Sequence, residues 1–249
     1  MIIDVHAHWG PWFFSMDVGS VSVNSELMDR FGIDIQLVSA IEAIVYDAPA
    51  GNRALAAQLP ADPRLRGMLV VDPRRLDEAR ADLGELLAGD GRTRWVGAKI
   101  HTEYSRTPID SPGMRAAIEL TTEFGLPTLV HTWGENVLDL ADVAARVPGA
   151  RVIAGHMGAN GWPLVPEAAD RSDRIWFEPC WSAPEANRIR WILDQLGPSR
   201  LMFGTDATLI DPSVALGAFE AANLTPPEEE AVMWRNATEL FSLTPQRVV

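Results

Sequence analysis

Short apolar runs rich in β-branched residues alternate along the whole chain with longer segments whose apolar residues recur at helical spacing. The runs lie at 2–8, 33–40, 65–72, 95–101, 127–131, 151–156, 174–180 and 200–206. Between them lie segments such as DEARADLGELLAG, GMRAAIELTTEFG, ENVLDLADVAARV and EANRIRWILDQLG, several closed by glycine or proline, which stop helices. Near-continuous apolar strands that each return through a helix describe a parallel sheet covered on its faces, since a sheet with one wet face would alternate. Eight such units in 249 residues predict an α/β fold of the (β/α)8 barrel type. That architecture carries its site at the C-terminal face of parallel strands, and the residues beyond the last unit predict an extra C-terminal helix. A doubly wound open sheet is the competing architecture. No linker, repeat or low-complexity tract interrupts the pattern, so residues 1–249 read as a single domain.

The histidines sharpen this reading. There are five, at 6, 8, 101, 131 and 156, and each ends a predicted strand. In a barrel those strand ends share one mouth. His6 and His8 are two apart and project to the same side of a strand, which is how one strand offers a metal two ligands. Asp206 closes the eighth run, and in a closed barrel the eighth strand lies beside the first. Alone, His131 or His156 would read as a hydrogen-bonded core histidine. Barrel packing does not require the joint placement, which points to a divalent metal site. Asp4, two before His6 on the same face but deeper, reads either as a carboxylate that supports the site without ligating or simply as a buried, hydrogen-bonded carboxylate.

Charge and cysteine content narrow the partners. A formal charge of −13 argues against nucleic acid and anionic membrane surfaces, both of which call for clustered basic residues. A small-molecule substrate is the expected partner; homo-oligomerisation stays open. Nothing approaches the roughly 20 apolar residues of a spanning helix, and the start MIIDVH lacks a basic leader, so a cytoplasmic location is expected. The single cysteine, Cys180, excludes a disulfide framework and a thiolate cluster, leaving His, Asp and Glu to hold any metal. Around the mouth, Trp9, Trp12, Phe13 and Phe14 follow the first run, and Trp133, Trp162 and Trp181 follow later ones, which suits a flat or apolar substrate. The loop HTEYSR adds Glu103, Tyr104 and Arg106, the last either a candidate for a substrate carboxylate or a solvated loop arginine. Glu178 and Cys180 share a face of the seventh run and read equally as pocket or core. His101 reads as a substrate-facing donor. Lys99, the only lysine, reads as a buried ammonium paired with a carboxylate.

The motifs DVHAH, GAKIH, PTLVH, VIAGHMGANGW and LMFGTDA, in this order and spacing, resemble the amidohydrolase superfamily. They are most similar to its amidohydrolase-related branch, which includes aminocarboxymuconate semialdehyde decarboxylase and several lactonases. The resemblance runs from residue 2 to about 241. It implies a metal-dependent barrel in which His6, His8, His131 and Asp206 match metal ligands, with one Zn2+ as the default ion and manganese or iron as alternatives. His156 matches the strand-six histidine, which with Asp206 acts on water or substrate. In binuclear relatives a strand-four lysine at the position of Lys99 is carbamylated and bridges a second metal. The neighbouring His101 belongs to the mononuclear pattern, so one metal is expected. The implied reaction is hydrolysis of an ester, lactone or amide of a small organic molecule by metal-activated water, with substrate contacts from Trp9, Trp12, Lys99, His101, Tyr104, Arg106 and Trp133. The alternative is a metal-dependent nonoxidative decarboxylase of an aromatic or unsaturated acid, and an inactive barrel kept for binding is the third reading.

Overall fold

The computed structural model describes residues 1–16 and 18–244. Seven strands form one parallel sheet in chain order: β1 (Ile3–Trp9), β2 (Ile35–Ala40), β3 (Leu65–Val70), β4 (Trp95–Ile100), β5 (Thr128–His131), β6 (Val152–Gly155) and β7 (Ile175–Glu178). Helices fill the connections, and their starts carry local signals. Ser111 accepts a hydrogen bond from Met114 N with Pro112 in the first turn, and Asp47 and Asp211 cap two further helices in the same way. Among the described residues no helix is long and apolar enough to cross a membrane.

The expected eighth strand is reduced to single parallel bridges, Phe177 with Leu201 on one side and Ala7 with Ala207 on the other. The run lies between β7 and β1, with Met202 N donating to Phe177 O and Asp206 N to His6 O, but its other backbone donors are spent elsewhere. Phe203 N donates to Val232 O, Thr205 N to Asp4 Oδ1 and Ala207 N to the Thr205 hydroxyl, so no continuous ladder forms. Beyond it, Pro226–Glu230 and Asn236–Phe241 are helical, joined by a wider turn at Ala231–Arg235.

The apolar residues form two clusters. The larger joins the outward strand faces to the helices. The smaller draws Ile3, Ile35, Leu37, Leu129 and Ile153 from the first halves of their strands and Met68 from the middle of β3, with Leu240 and Phe241 packed against them. It therefore fills the end of the sheet opposite the histidines. A Cβ on Gly97 would sit 2.9 Å from the Phe241 ring, so glycine makes room for that plug.

Register decides between the two readings of Asp4, in favour of a buried, hydrogen-bonded carboxylate, and corrects the face expected for it. The β1–β2 pairing shifts between Asp4 and Ala7, and such an irregularity re-aims side chains. Asp4 accepts hydrogen bonds from Gln36 Nε2, Thr205 N and Thr205 Oγ1, and Gln36 in turn receives Asn24 from the helix Ser22–Phe31. Asp4 thus faces the helix layer and ties the last run to β1. It does not share the face of His6.

Candidate active site

Parallel strands end on one side, and there a cavity of about 710 Å3 opens, a size that suits a small organic molecule. All five histidines line it, together with Lys99 and Asp206. The walls are Trp12, Phe14, Tyr104, Trp133, Trp181, Leu209 and Ile210. Polar chemistry therefore sits at the bottom, beneath a collar of rings.

Two imidazoles are held from behind. His6 Nδ1 lies 2.6 Å from Glu178 Oε2, and His8 Nδ1 lies 2.9 Å from the Ser39 hydroxyl. Each contact engages Nδ1 and leaves Nε2 facing Asp206, whose Oδ1 is 2.9 Å from His8 Nε2 and 3.7 Å from His6 Nε2. All three residues are buried, and their donor atoms lie within 4.8 Å of one another. Burial pushes both imidazoles below their ordinary value, so they stand neutral with a lone pair to offer. Burial opposes ionisation of Asp206, but its close approach to His8 Nε2 and His6 Nε2 holds its carboxyl well below the usual range. Two neutral imidazoles and a carboxylate form a donor set suited to a divalent metal, and a carboxylate behind a ligating histidine is the usual support for one. Lys99 Nζ stands 2.6 Å from His6 Nε2. Burial lowers its ammonium to about 8 against the charges of Asp206, Cys180 and Glu178.

The other histidines form a second row. His156 Nδ1 lies 2.9 Å from Cys180 O, so that nitrogen carries the proton and donates it, leaving Nε2 toward His131 Nδ1 at 3.1 Å. His131 stacks on His101 with ring centroids 4.0 Å apart. Burial drives the imidazoles of His131 and His101 down as well. His131 is thus one ring removed from the His6, His8 and Asp206 cluster. His156 and Asp206 both sit at positive φ, 63° and 60°, a conformation that a non-glycine residue adopts only where its surroundings enforce it.

The structure separates the remaining expected residues. Trp12 is buried and packs edge-on to His8, with Tyr104 beside it. Trp133 stands at the rim, 43% exposed, over His131. Trp9 does not line the cavity. It follows His8 on the strand, and alternation turns it into the outer core. Arg106 is exposed and lies outside the cavity, because it ends the short helix Thr102–Ser105 in a left-handed turn. Trp162 packs on Trp191 away from the site. Glu178 and Cys180 lie beneath the floor rather than on it. Ser39 was not singled out in the sequence, although a hydroxyl near the end of the apolar run IDIQLVSA is the signal that could have found it.

The amidohydrolase family pattern, Amidohydro_2, matches residues 3–243. No curated protein matches the chain in sequence. Among solved structures, a dihydroxybenzoic acid decarboxylase from Polaromonas sp. JS666 with bound manganese and 2-nitroresorcinol superposes with a TM-score of 0.75 at 16% identity, covering 98% of each chain. The 5-carboxyvanillate decarboxylase of Sphingomonas paucimobilis gives 0.73 at 15% identity, over 98% of this chain and 99% of that one. A protein of Acinetobacter baumannii described as a probable 2-pyrone-4,6-dicarboxylic acid hydrolase gives 0.71 at 16% identity, over 97% and 99%. These likenesses establish a shared fold, and the sequence match over nearly the whole chain establishes the family: the chain belongs to the amidohydrolases.

Proposed function

We propose that the chain is a metal-dependent hydrolase that adds water to an ester, lactone or amide of a small, ring-bearing organic molecule. The observation that carries this reading is the convergence of His6 Nε2, His8 Nε2 and Asp206 Oδ1 at the bottom of a cavity walled by aromatic rings. These three would hold the metal, with His131 as fourth ligand on the same floor. A bound divalent ion would supply Lewis acidity and a water activated at neutral pH, with zinc the first candidate for this donor set. Asp206, kept ionised, accepts the proton of the attacking water and returns it to the leaving group. His156, its Nδ1 proton given to Cys180 O, presents the Nε2 lone pair to the floor and steers the attacking water by accepting its hydrogen bond. Lys99 and His101 hold substrate oxygens, while Trp12, Tyr104 and Trp133 flank its ring. The two bridges of residues 200–206 to its neighbours support an eight-unit closed barrel as the frame.

Decarboxylation of an aromatic or unsaturated acid is the second reading, favoured by Lys99 beside His6 Nε2, where an ammonium could hold a carboxylate. Against it, no arginine is among the described residues lining the cavity. A second metal bridged by carbamylated Lys99 finds support in the 3.1 Å approach of His131 Nδ1 to His156 Nε2, and metal stoichiometry with and without bicarbonate decides it.

One screen tests the reaction. Metal-reconstituted protein is offered lactones, esters, amides and aromatic acids in 18O-labelled water, with acid and CO2 release scored together. Label in the product supports hydrolysis; CO2 without label replaces it with the lyase. His131→Ala should lose bound metal and activity together, and full metal content in that variant removes His131 from the ligand set.

A further inference from the structure

In a chain of formal charge −13 most arginines are paired with acids, as Arg64 is with Asp62, Arg80 with Glu123 and Arg190 with Glu228. Three depart from this together. Arg66, Arg92 and Arg151 line one cavity of about 490 Å3, and no Asp or Glu is among the described residues that line it. Their hydrogen bonds go to neutral backbone carbonyls. Arg66 Nη1 donates to Pro63 O and Leu65 O, Arg92 Nη1 to Phe124 O, and Arg151 donates from Nη1 to Leu240 O and from Nη2 to Gly125 O. These bonds engage only Nη1 of Arg66 and of Arg92. All three side chains reach solvent: Arg66 and Arg151 are half-buried and Arg92 is exposed.

Strand geometry brings them together. Arg66 lies two residues before Met68 on β3, and Arg151 stands just ahead of β6, two before Ile153. Met68 and Ile153 both belong to the smaller core cluster, so alternation turns both arginines to the side of the sheet that this cluster fills, at the end away from the histidines. Arg92 joins them from the short helix Gly91–Arg94 ahead of β4, and the carbonyl it holds, Phe124 O, adjoins the Gly125 O held by Arg151. Ser242 and Thr244 add hydroxyls, and Val96, Pro127 and Phe241 add apolar surface. Burial lowers the guanidinia of Arg66 and Arg151 from their ordinary value, and only the charge of Asp62, acting on Arg66, opposes it. Three cations resting on neutral acceptors leave positive charge and free donors that a bound anion would satisfy.

We propose that this cavity, at the end of the sheet opposite the histidines, binds a small organic phosphate. The phosphate oxygens accept from the three guanidinia, whose planar forks suit an oxyanion, and the apolar part of the ligand lies against Val96 and Pro127. A monocarboxylate brings two oxygens and a single charge, too few for three guanidinia, whereas a phosphate monoester brings three acceptor oxygens and about two charges.

The melting temperature of the metal-loaded protein is measured with phenyl phosphate, inorganic phosphate or benzoate at matched ionic strength. Phenyl phosphate should raise it saturably and at the lowest concentration, inorganic phosphate at a higher one, and benzoate least. Because these anions can also meet the metal, two variants locate the effect. Arg92→Gln, at an exposed position, should raise the half-saturating concentration of phenyl phosphate about tenfold. Ser242→Asp, which places a carboxylate in the cavity and keeps all three arginines, should raise it as well. No phenyl phosphate shift in the native protein, or an unchanged half-saturation in either variant, overturns the proposal. Benzoate acting as tightly as phenyl phosphate, with the same sensitivity to Arg92→Gln, overturns the phosphate class. The readout needs no catalytic turnover, so its failure is separate from failure of the hydrolase reading.

Discussion

At the residue scale, the cavity floor is organised by which nitrogen of each imidazole is already committed. Glu178 engages Nδ1 of His6, Ser39 engages Nδ1 of His8, and Cys180 O takes the Nδ1 proton of His156. Each ring therefore turns Nε2 toward its neighbours on the floor, and all three depend on groups that do not line the cavity. Glu178 matters most, because its other oxygen accepts the backbone N–H of Cys180. In Glu178→Gln the amide has one oxygen for these two donors, so one contact must fail. We expect metal affinity to fall about 10–100-fold with the circular dichroism spectrum unchanged. Titration against a metallochromic indicator checks this, and an unaltered dissociation constant would remove Glu178 from the support of His6.

At the element scale, the two ends of the sheet do different work. Phe241, from the helix Asn236–Phe241, closes the end away from the site against residues of the smaller core cluster. Phe241→Ala leaves a cavity in a packed layer and should cost about 3–5 kcal/mol in urea unfolding. A loss under about 1 kcal/mol would mean that this helix is not part of the core. Asp62 ties two elements, accepting from Ser25 of the helix Ser22–Phe31 and from Arg64, which leads into β3. Against the effect of burial, Arg64 and Ser25 hold its carboxyl down to about 2. A carboxyl lowered in the folded state stabilises it fully above the ordinary value of 3.8 and loses that contribution as pH falls toward 2. Native protein should therefore lose stability between pH 5 and pH 2 more steeply than Asp62→Asn, and parallel curves across that window would refute the linkage.

At the scale of the whole molecule, the candidate ligands come from opposite ends of the chain. His6 and His8 lie on β1 and Asp206 ends the last run, where the sheet is joined by single bridges, the Asp206 N to His6 O hydrogen bond and the Asp4 contacts. A metal shared by these residues is bound by the folded state alone and stabilises it by mass action, about 2.7 kcal/mol at a hundredfold excess over the dissociation constant. Chelation should lower the melting temperature, and added metal should restore it with a dependence on concentration. A melting temperature indifferent to chelator, in protein shown to have carried metal, would place the ion away from this junction.

Periodicity and strand-end histidines made much of the plan legible, because both are local properties. Apart from Trp9 at the end of β1, the seven parallel strands fall within the apolar runs, and since parallel strands end on one side, His6, His8, His101, His131 and His156 had to share a face. Other features depend on contacts between residues far apart in sequence. The last run gives up its ladder because Asp4, some 200 residues earlier, captures Thr205 N, with a sequence separation of 201. A register shift invisible in the residue pattern turned Asp4 to the helix layer, and alternation after His8 removed Trp9 from the cavity wall. Glu178 behind His6, Ser39 behind His8 and the three arginines gathered at the far end of the sheet likewise emerged only when the strands were side by side. The sequence by itself determined which residues could carry chemistry and which end of the sheet they occupy. Tertiary structure decided which nitrogen each presents and what stands behind it, because hydrogen-bond partners are chosen by distance in space.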